Sequence, residues 1–332
     1  MPPNEQDSTL VKRLRDGIAT GDPGAVSEAL NRIDDDRPEN RETVLALLDS
    51  AIGHDRGPRI GITGAPGSGK STLLDALVGV LRDRGRSVGI LAVDPSSQKT
   101  GGALLGDRMR LGSAARDSGV FLRSLAARDQ LGGLSEITGP SLDLMQAGFD
   151  QVFVETVGVG QSEASVIDLV DTLVFVAQPA AGDLIQFMKA GILEWPDIFF
   201  VNKSDLGKIA TRTATELLAG LDLAGRGDTE YKPQVLCGSA KHGLEIETLI
   251  DAIDAHQQYL KSSGQGEVRR AQGRVARVRS LLATNYGRHG LSQLTGPLEI
   301  ETYVGARPES SAERLSDELG REVEAALGRK AK

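Results

Sequence analysis

The chain has 332 residues, 39% of them apolar and 25% charged, with a formal net charge of -8 at pH 7, proportions of a globular protein with one large core and appendages. The acidic balance argues against bulk nucleic-acid binding, and the sequence has no apolar run of about 18 residues that would span a membrane. A single cysteine, Cys237, excludes an internal disulfide framework and a cysteine-based zinc site within one chain, and reads as a small buried strand residue.

In chain order, the first residues lack the basic and apolar regions of a secretory signal, so a cytoplasmic location is expected. A helical N-terminal extension is predicted over 1–55. Within it, residues 8–52 show helical periodicity in three pieces, with Ser8 a candidate cap, Asp22 and Pro23 a cap and first-turn pair, and Leu45, Leu48 and Ile52 on one face. A nucleotide-binding domain is predicted over 56–260, where apolar strands alternate with amphipathic segments. The strand candidates are 59–63, 87–93, 120–125, 151–155, 172–177, 197–201 and 234–238. Such alternation predicts an α/β fold with a mainly parallel sheet flanked by helices. Residues 261–266 read as a linker into a helical C-terminal arm, 261–332. There Val268, Ala271, Val275, Val278 and Leu282 mark one helix face, and Arg270, Arg274 and Arg277 the other, a solvated or partner-facing surface. A second helix is predicted over 309–328.

Three groups of residues carry chemistry. Gly64-Ala65-Pro66-Gly67-Ser68-Gly69-Lys70-Ser71, followed by Thr72, fits the phosphate-binding loop G-x-x-x-x-G-K-[ST] and lies between a predicted strand and a predicted helix. Its glycines let backbone N–H groups turn inward around phosphates, Lys70 reaches the outer phosphates, and the Ser71 hydroxyl can ligate Mg²⁺. Asn202-Lys203-Ser204-Asp205 is an N-K-x-D guanine reader. The Asp205 carboxylate can accept both the ring N–H and the exocyclic amine that guanine alone presents together, Asn202 serves the O6/N7 edge, and the Lys203 stem covers the ring. Ser239-Ala240-Lys241 follows as the short motif whose backbone supports the base. Together these favour GTP over ATP. Finally, Asp94 and Glu155 close predicted strands, so both carboxylates emerge at the carboxyl edge of the sheet beside the phosphates. With Asp107 and Ser71 they are the candidate Mg²⁺ ligands, since hard oxygen donors suit that ion.

The blocks Val93-Asp94-Pro95-Ser96-Ser97, Thr100-Gly101-Gly102 through Asp107-Arg108, and Glu155-Thr156-Val157-Gly158-Val159-Gly160-Gln161-Ser162-Glu163 resemble the two switch regions of the MeaB/MMAA-type GTPases within the SIMIBI class of phosphate-loop proteins. This resemblance implies a GTPase chaperone of an adenosylcobalamin-dependent acyl-CoA mutase such as methylmalonyl-CoA mutase, with cobalamin met only through the mutase. It also implies a homodimer built by the C-terminal region, and a magnesium-associated role for Asp107. For hydrolysis, Lys70 and the loop amides hold the phosphates, Glu155 and Gln161 are candidates for orienting water, Asp94 is a further catalytic candidate, and Gly158 lets the second switch move. Three alternatives share the architecture: a nickel-insertase GTPase, a small-molecule kinase, and a nucleotide-gated binding module. The four histidines, His54, His242, His256 and His289, are scattered rather than gathered into a metal tract.

Overall fold

The computed structural model describes residues 5–94, 117–126, 134–156, 166–179, 192–226 and 231–330. The chain divides into two compact units, one formed by Gly57–Ser135 and Phe149–Glu267, the other by Met1–Arg56, Glu136–Gly148 and Val268–Lys332.

Among the described residues the first unit is built on seven strands, β1 Arg59–Thr63, β2 Val88–Asp94, β3 Val120–Ala126, β4 Gln151–Glu155, β5 Thr172–Ala177, β6 Ile198–Val201 and β7 Gln234–Cys237. Their order across the sheet is β3-β2-β4-β1-β5-β6-β7, and every pairing between these strands is parallel. In the inner strands β5 and β6 the apolar runs are continuous because both faces of the sheet are covered there. In β5 and β6 alternate residues divide between two cores. Val174, Val176, Ile198 and Phe200 pack with Leu73, Leu74 and Leu77 of α4 (Lys70–Asp83) and with Leu249, Ile250 and Ile253 of α7 (Ile246–Ser263). Phe175, Ala177, Phe199 and Val201 pack on the opposite face with Ala210, Leu217 and Leu221 of α6 (Lys208–Leu223). The period-2 pleat of the strands thus meets helices whose apolar residues recur at three and four.

This topology sets the site. The chain leaves β1 for β2, returns to β4 beside β1, and then passes to β5 on the other flank, so the loops after β1 and β4 adjoin at a carboxyl-edge crevice. β6 stands two places from β1, roughly 10 Å across at the usual strand spacing. A phosphate loop and a base reader are thereby held one nucleoside apart.

The second unit is helical: α1 Glu5–Ala19, α2 Pro23–Ile33, α3 Pro38–Ala51, α5 Thr138–Gln146, most of α8 (Gln265–Leu291), α9 Ile300–Gly305 and α10 Ala312–Lys330. The Asp22 side chain caps α2, accepting from the Ala25 N–H at 2.9 Å with Pro23 in the first turn. Val278, Leu282, Val304, Leu315, Leu319 and Val323 form a core of α8, α9 and α10. The Asp49 carboxylate of α3 accepts from the Ser311 N–H (2.9 Å) and hydroxyl (2.7 Å) and from Arg314, fastening the start of α10.

Several expectations are corrected. Ser8 lies inside α1, which begins at Glu5, so it caps nothing. Residues 261–266 form no linker: α7 runs to Ser263, Gly264 turns the chain with φ 72°, and α8 starts at the next residue. The Ser262 and Ser263 hydroxyls bond back to the Tyr259 carbonyl, so the serines continue the helix. The apolar stripe of α8 is buried at Val278 and Leu282, whereas Val268 and Ala271 are exposed. The arginine face is solvated only in part, and Arg277 leaves it. Arg277, its side chain 12% exposed, pairs with Asp143 of α5 at 2.6 Å and with Glu313 of α10. Arg274 bonds to the Pro308 carbonyl and Arg270 to Asp55. Burial works against the Arg277 charge, but the two carboxylates outweigh it and raise its pKa. Cys237 is half-buried, and desolvation raises its thiol pKa.

Candidate nucleotide site

The loop between β1 and α4 has three glycines with positive φ, Gly64, Gly67 and Gly69, and at two of them space excludes a side chain as well. Gly64 has φ 141°, and a Cβ there would lie 2.3 Å from the Val176 carbonyl oxygen. Gly69, at φ 94° directly before α4, would place a Cβ 2.4 Å from the Asn202 side-chain nitrogen. Both the dihedral and the space therefore exclude any side chain. Lys70 is buried, and its Nζ donates to the Gly64 carbonyl (2.8 Å) and the Ala65 carbonyl (3.3 Å), so the ammonium arches over the mouth of the loop. The Ser68 N–H bonds to the Ala65 carbonyl at 3.1 Å, tightening the turn, while Pro66, Gly67 and Thr72 are exposed.

Ser71 and Glu155, far apart in sequence, meet: the Ser71 hydroxyl donates to Glu155 Oε1 at 2.8 Å. The register of β1 against β4, with Ile62 opposite Glu155, sets this approach. Neighbouring ligands of an octahedral Mg²⁺, with bonds of about 2.0–2.1 Å, stand about 2.9 Å apart. The hydroxyl and carboxylate oxygens therefore fit adjacent corners of such a shell, and both are hard donors. The Thr156 hydroxyl donates to Thr63 Oγ1 (3.0 Å) and its N–H to the Ile62 carbonyl (3.1 Å), fixing the end of β4 to the end of β1. Asp94 closes β2. Its side chain, together with Asp107, Gly158 and Gln161, lies outside the described residues.

Asn202 and Lys203, directly after β6, reach across to the phosphate loop. Asn202 Oδ1 accepts from the N–H groups of Lys203 (2.8 Å) and Ala240 (2.9 Å), and Nδ2 donates to the Ser68 carbonyl (2.9 Å). Its oxygen is fully used, so the amide has one N–H left for the acceptor edge of a base. Asn202 is thus first a brace joining three loops. Lys203 sits in the left-handed region at φ 60°, and its Nζ donates to the Gly67 carbonyl and to Gln178 Oε1, each at 2.8 Å. Asp205 accepts from the Ser239 hydroxyl at 2.7 Å, and this bond holds its carboxyl below the usual range, with His242 and Lys241 adding favourable charge. Ser239 and Ala240 are buried and Lys241 is exposed. Reciprocal backbone bonds between Ser239 and Leu244 close that loop.

The structure therefore brings the phosphate loop, Glu155, Asn202, Lys203, Asp205 and Ser239-Ala240 into one constellation at the carboxyl edge of the sheet. Sequence reading did not find Gln178 or Thr63 as parts of it, and found Thr156 only as a member of the Glu155–Glu163 block. Their one local signal is a polar side chain at the end of, or just beyond, a predicted central strand, where the crevice must lie.

Residues 26–290 match the family described as Methylmalonyl Co-A mutase-associated GTPase MeaB. The chain is 40% identical over 277 residues to a protein of Mycobacterium tuberculosis named "Probable GTPase", covering 81% of each. It is 32% identical over 300 residues to the mitochondrial methylmalonic aciduria type A homolog of Mus musculus, covering 86% of this chain and 72% of that one. The crystal structure of an LAO/AO transport system kinase shares the fold, with a TM-score of 0.68 at 24% identity over 98% of this chain and 99% of that chain.

Proposed function

This chain belongs to the MeaB family of methylmalonyl-CoA mutase-associated GTPases, and from that premise we propose that it is a Mg²⁺-dependent GTPase whose hydrolysis cycle gates the loading, protection or repair of adenosylcobalamin on an acyl-CoA mutase. The observation that carries the reading is the constellation itself: Lys70, Ser71 and Glu155 at the phosphate end, and Asn202, Lys203 and Asp205 at the base end. The family name and the mouse relative point to methylmalonyl-CoA mutase or a relative as partner.

Mg²⁺, when bound, neutralises charge developing on the outer phosphates. Ser71 and Glu155 would hold it, with Asp94 and Asp107 as further candidates. The chain's own residues do the rest. Loop amides and the start of α4 cradle the phosphates, Lys70 supplies a fixed positive charge, and Glu155 is a candidate to orient water. Attack of that water on the outer phosphorus breaks its bond to the bridging oxygen, releasing GDP and inorganic phosphate. Positioning and charge supply most of the acceleration, because the reaction asks little covalent chemistry of the protein. Gln161 is a second candidate for water, and Gly158 for the hinge. A homodimer through the C-terminal arm and a cytoplasmic location belong to the same proposal; among the described residues no helix is long and apolar enough to cross a membrane.

The test is GTP and ATP hydrolysis with Mg²⁺ and with a chelator, combined with ultracentrifugation of the protein and methylmalonyl-CoA mutase under GDP and under a non-hydrolysable GTP analogue. The proposal expects Mg²⁺-dependent GTP turnover and a complex whose stability depends on the nucleotide. Equal turnover of ATP, or no complex with either nucleotide, would reject it.

A further inference from the structure

Gln178 is the first residue after β5, the strand that separates the phosphate-loop strand β1 from the base-reader strand β6. It is half-buried, and its Oε1 accepts from Lys203 Nζ at 2.8 Å. Lysine carries only donors, so the amide must present its oxygen here. The same Nζ bonds to the Gly67 carbonyl, also at 2.8 Å. One ammonium is therefore fixed from two directions, by the phosphate loop and by the end of β5.

The consequence concerns the four-carbon stem rather than the charge. A free lysine side chain samples many rotamers, and ordering it costs up to about 1.5–2 kcal/mol. Lys203 begins from an unfavourable backbone as well, since φ 60° is uncommon for any residue with a Cβ. With the ammonium held at both acceptors and the backbone braced by Asn202, the stem is tied at both ends before any ligand arrives. An apolar stem tied at both ends is a surface on which a purine ring would stack. We infer that Gln178 is a positioning residue for the purine base, acting through Lys203, and that it sets how long the nucleotide stays bound rather than which base is chosen. Selection belongs to Asp205, whose carboxylate is set by Ser239 instead. The inference rests on the guanine-nucleotide reading above.

The experiment is stopped-flow dissociation of a fluorescent GDP from the full chain, with equilibrium titration of GDP and XDP, for wild type, Gln178→Leu, Gln178→Glu, Lys203→Met, the Gln178→Leu/Lys203→Met double variant and Asp205→Asn. A hydrogen bond to an ammonium is worth enough for Gln178→Leu to speed GDP release about tenfold. Gln178→Glu, which keeps an acceptor on the same stem, should restore a rate near wild type. The double variant should release GDP no faster than Lys203→Met alone, because both changes free the same stem. The preference for GDP over XDP should stay unchanged in Gln178→Leu and fall in Asp205→Asn. A wild-type release rate in Gln178→Leu, or effects that simply multiply in the double variant, would overturn the inference while leaving the guanine site intact. A wild type that binds neither nucleotide would instead overturn the guanine reading, and the inference with it.

Discussion

The two units of this molecule place their decisive residues differently along the chain. In the sheet unit the site is written in short contiguous runs: eight residues from Gly64 to Ser71, four from Asn202 to Asp205, three from Ser239 to Lys241. The helical unit is held by residues from three separated stretches. Arg277 of α8 meets Asp143 of α5 and Glu313 of α10, while Asp49 of α3 meets Ser311 and Arg314. A phosphate needs several consecutive amides at one loop, so its site must be local in sequence. A buried charge needs only partners in space, so its network leaves no local trace.

The contrast is broken most severely at Arg277. Arg277→Ala leaves Asp143 and Glu313 without their shared cation, and Glu313 already has its pKa raised by burial, against the pull of Arg277. Removing one partner of a buried ion pair costs about 3–5 kcal/mol. Urea unfolding followed by circular dichroism should show a loss of that size, and a change under about 0.5 kcal/mol would mean the pairs behave as surface pairs.

In the sheet unit, Lys70→Ala removes the buried ammonium at the mouth of the loop. GTP turnover should fall at least about a hundredfold, the scale seen when a transition-state charge loses its fixed partner. Retention of wild-type turnover would disqualify the assigned loop.

The smallest effect sharpens the base reader. The Ser239 hydroxyl is the main reason the Asp205 carboxyl sits below its ordinary pKa. A depressed pKa keeps the accepting, ionised form as pH falls through the ordinary carboxylate range, and the form is lost only below it. GDP affinity in the wild type should therefore hold across that range. In Ser239→Ala the Asp205 pKa rises toward the ordinary value, so the decline should begin at higher pH. Identical profiles from isothermal titration would show that Ser239 does not tune the reader.

The same contrast explains what the sequence disclosed. The strands could be read because each is a mainly apolar run bounded by turn residues, buried throughout in β4, β5 and β6 and half-buried at the edges in β3 and β7. The phosphate loop could be read because glycine is required at Gly64 and Gly69 by both dihedral and space. Gln178 could not, because one polar residue after a strand has no signature until Lys203 is seen beside it. Residues 261–266 misled because Ser-Ser-Gly suits a linker, yet both hydroxyls bond back to the helix and only Gly264 turns. Arg277 of α8 misled for the reason that governs its unit: a charged residue looks the same in sequence whether it meets water or buried carboxylates.

The measurement that tests the central proposal most directly is steady-state GTP hydrolysis with Mg²⁺, alone and with methylmalonyl-CoA mutase, using Lys70→Ala as the blank. The proposal predicts that the mutase raises GTP turnover, and that the increase disappears in Lys70→Ala. GTP turnover that is unchanged at saturating mutase would leave the nucleotide site standing and contradict its coupling to this partner.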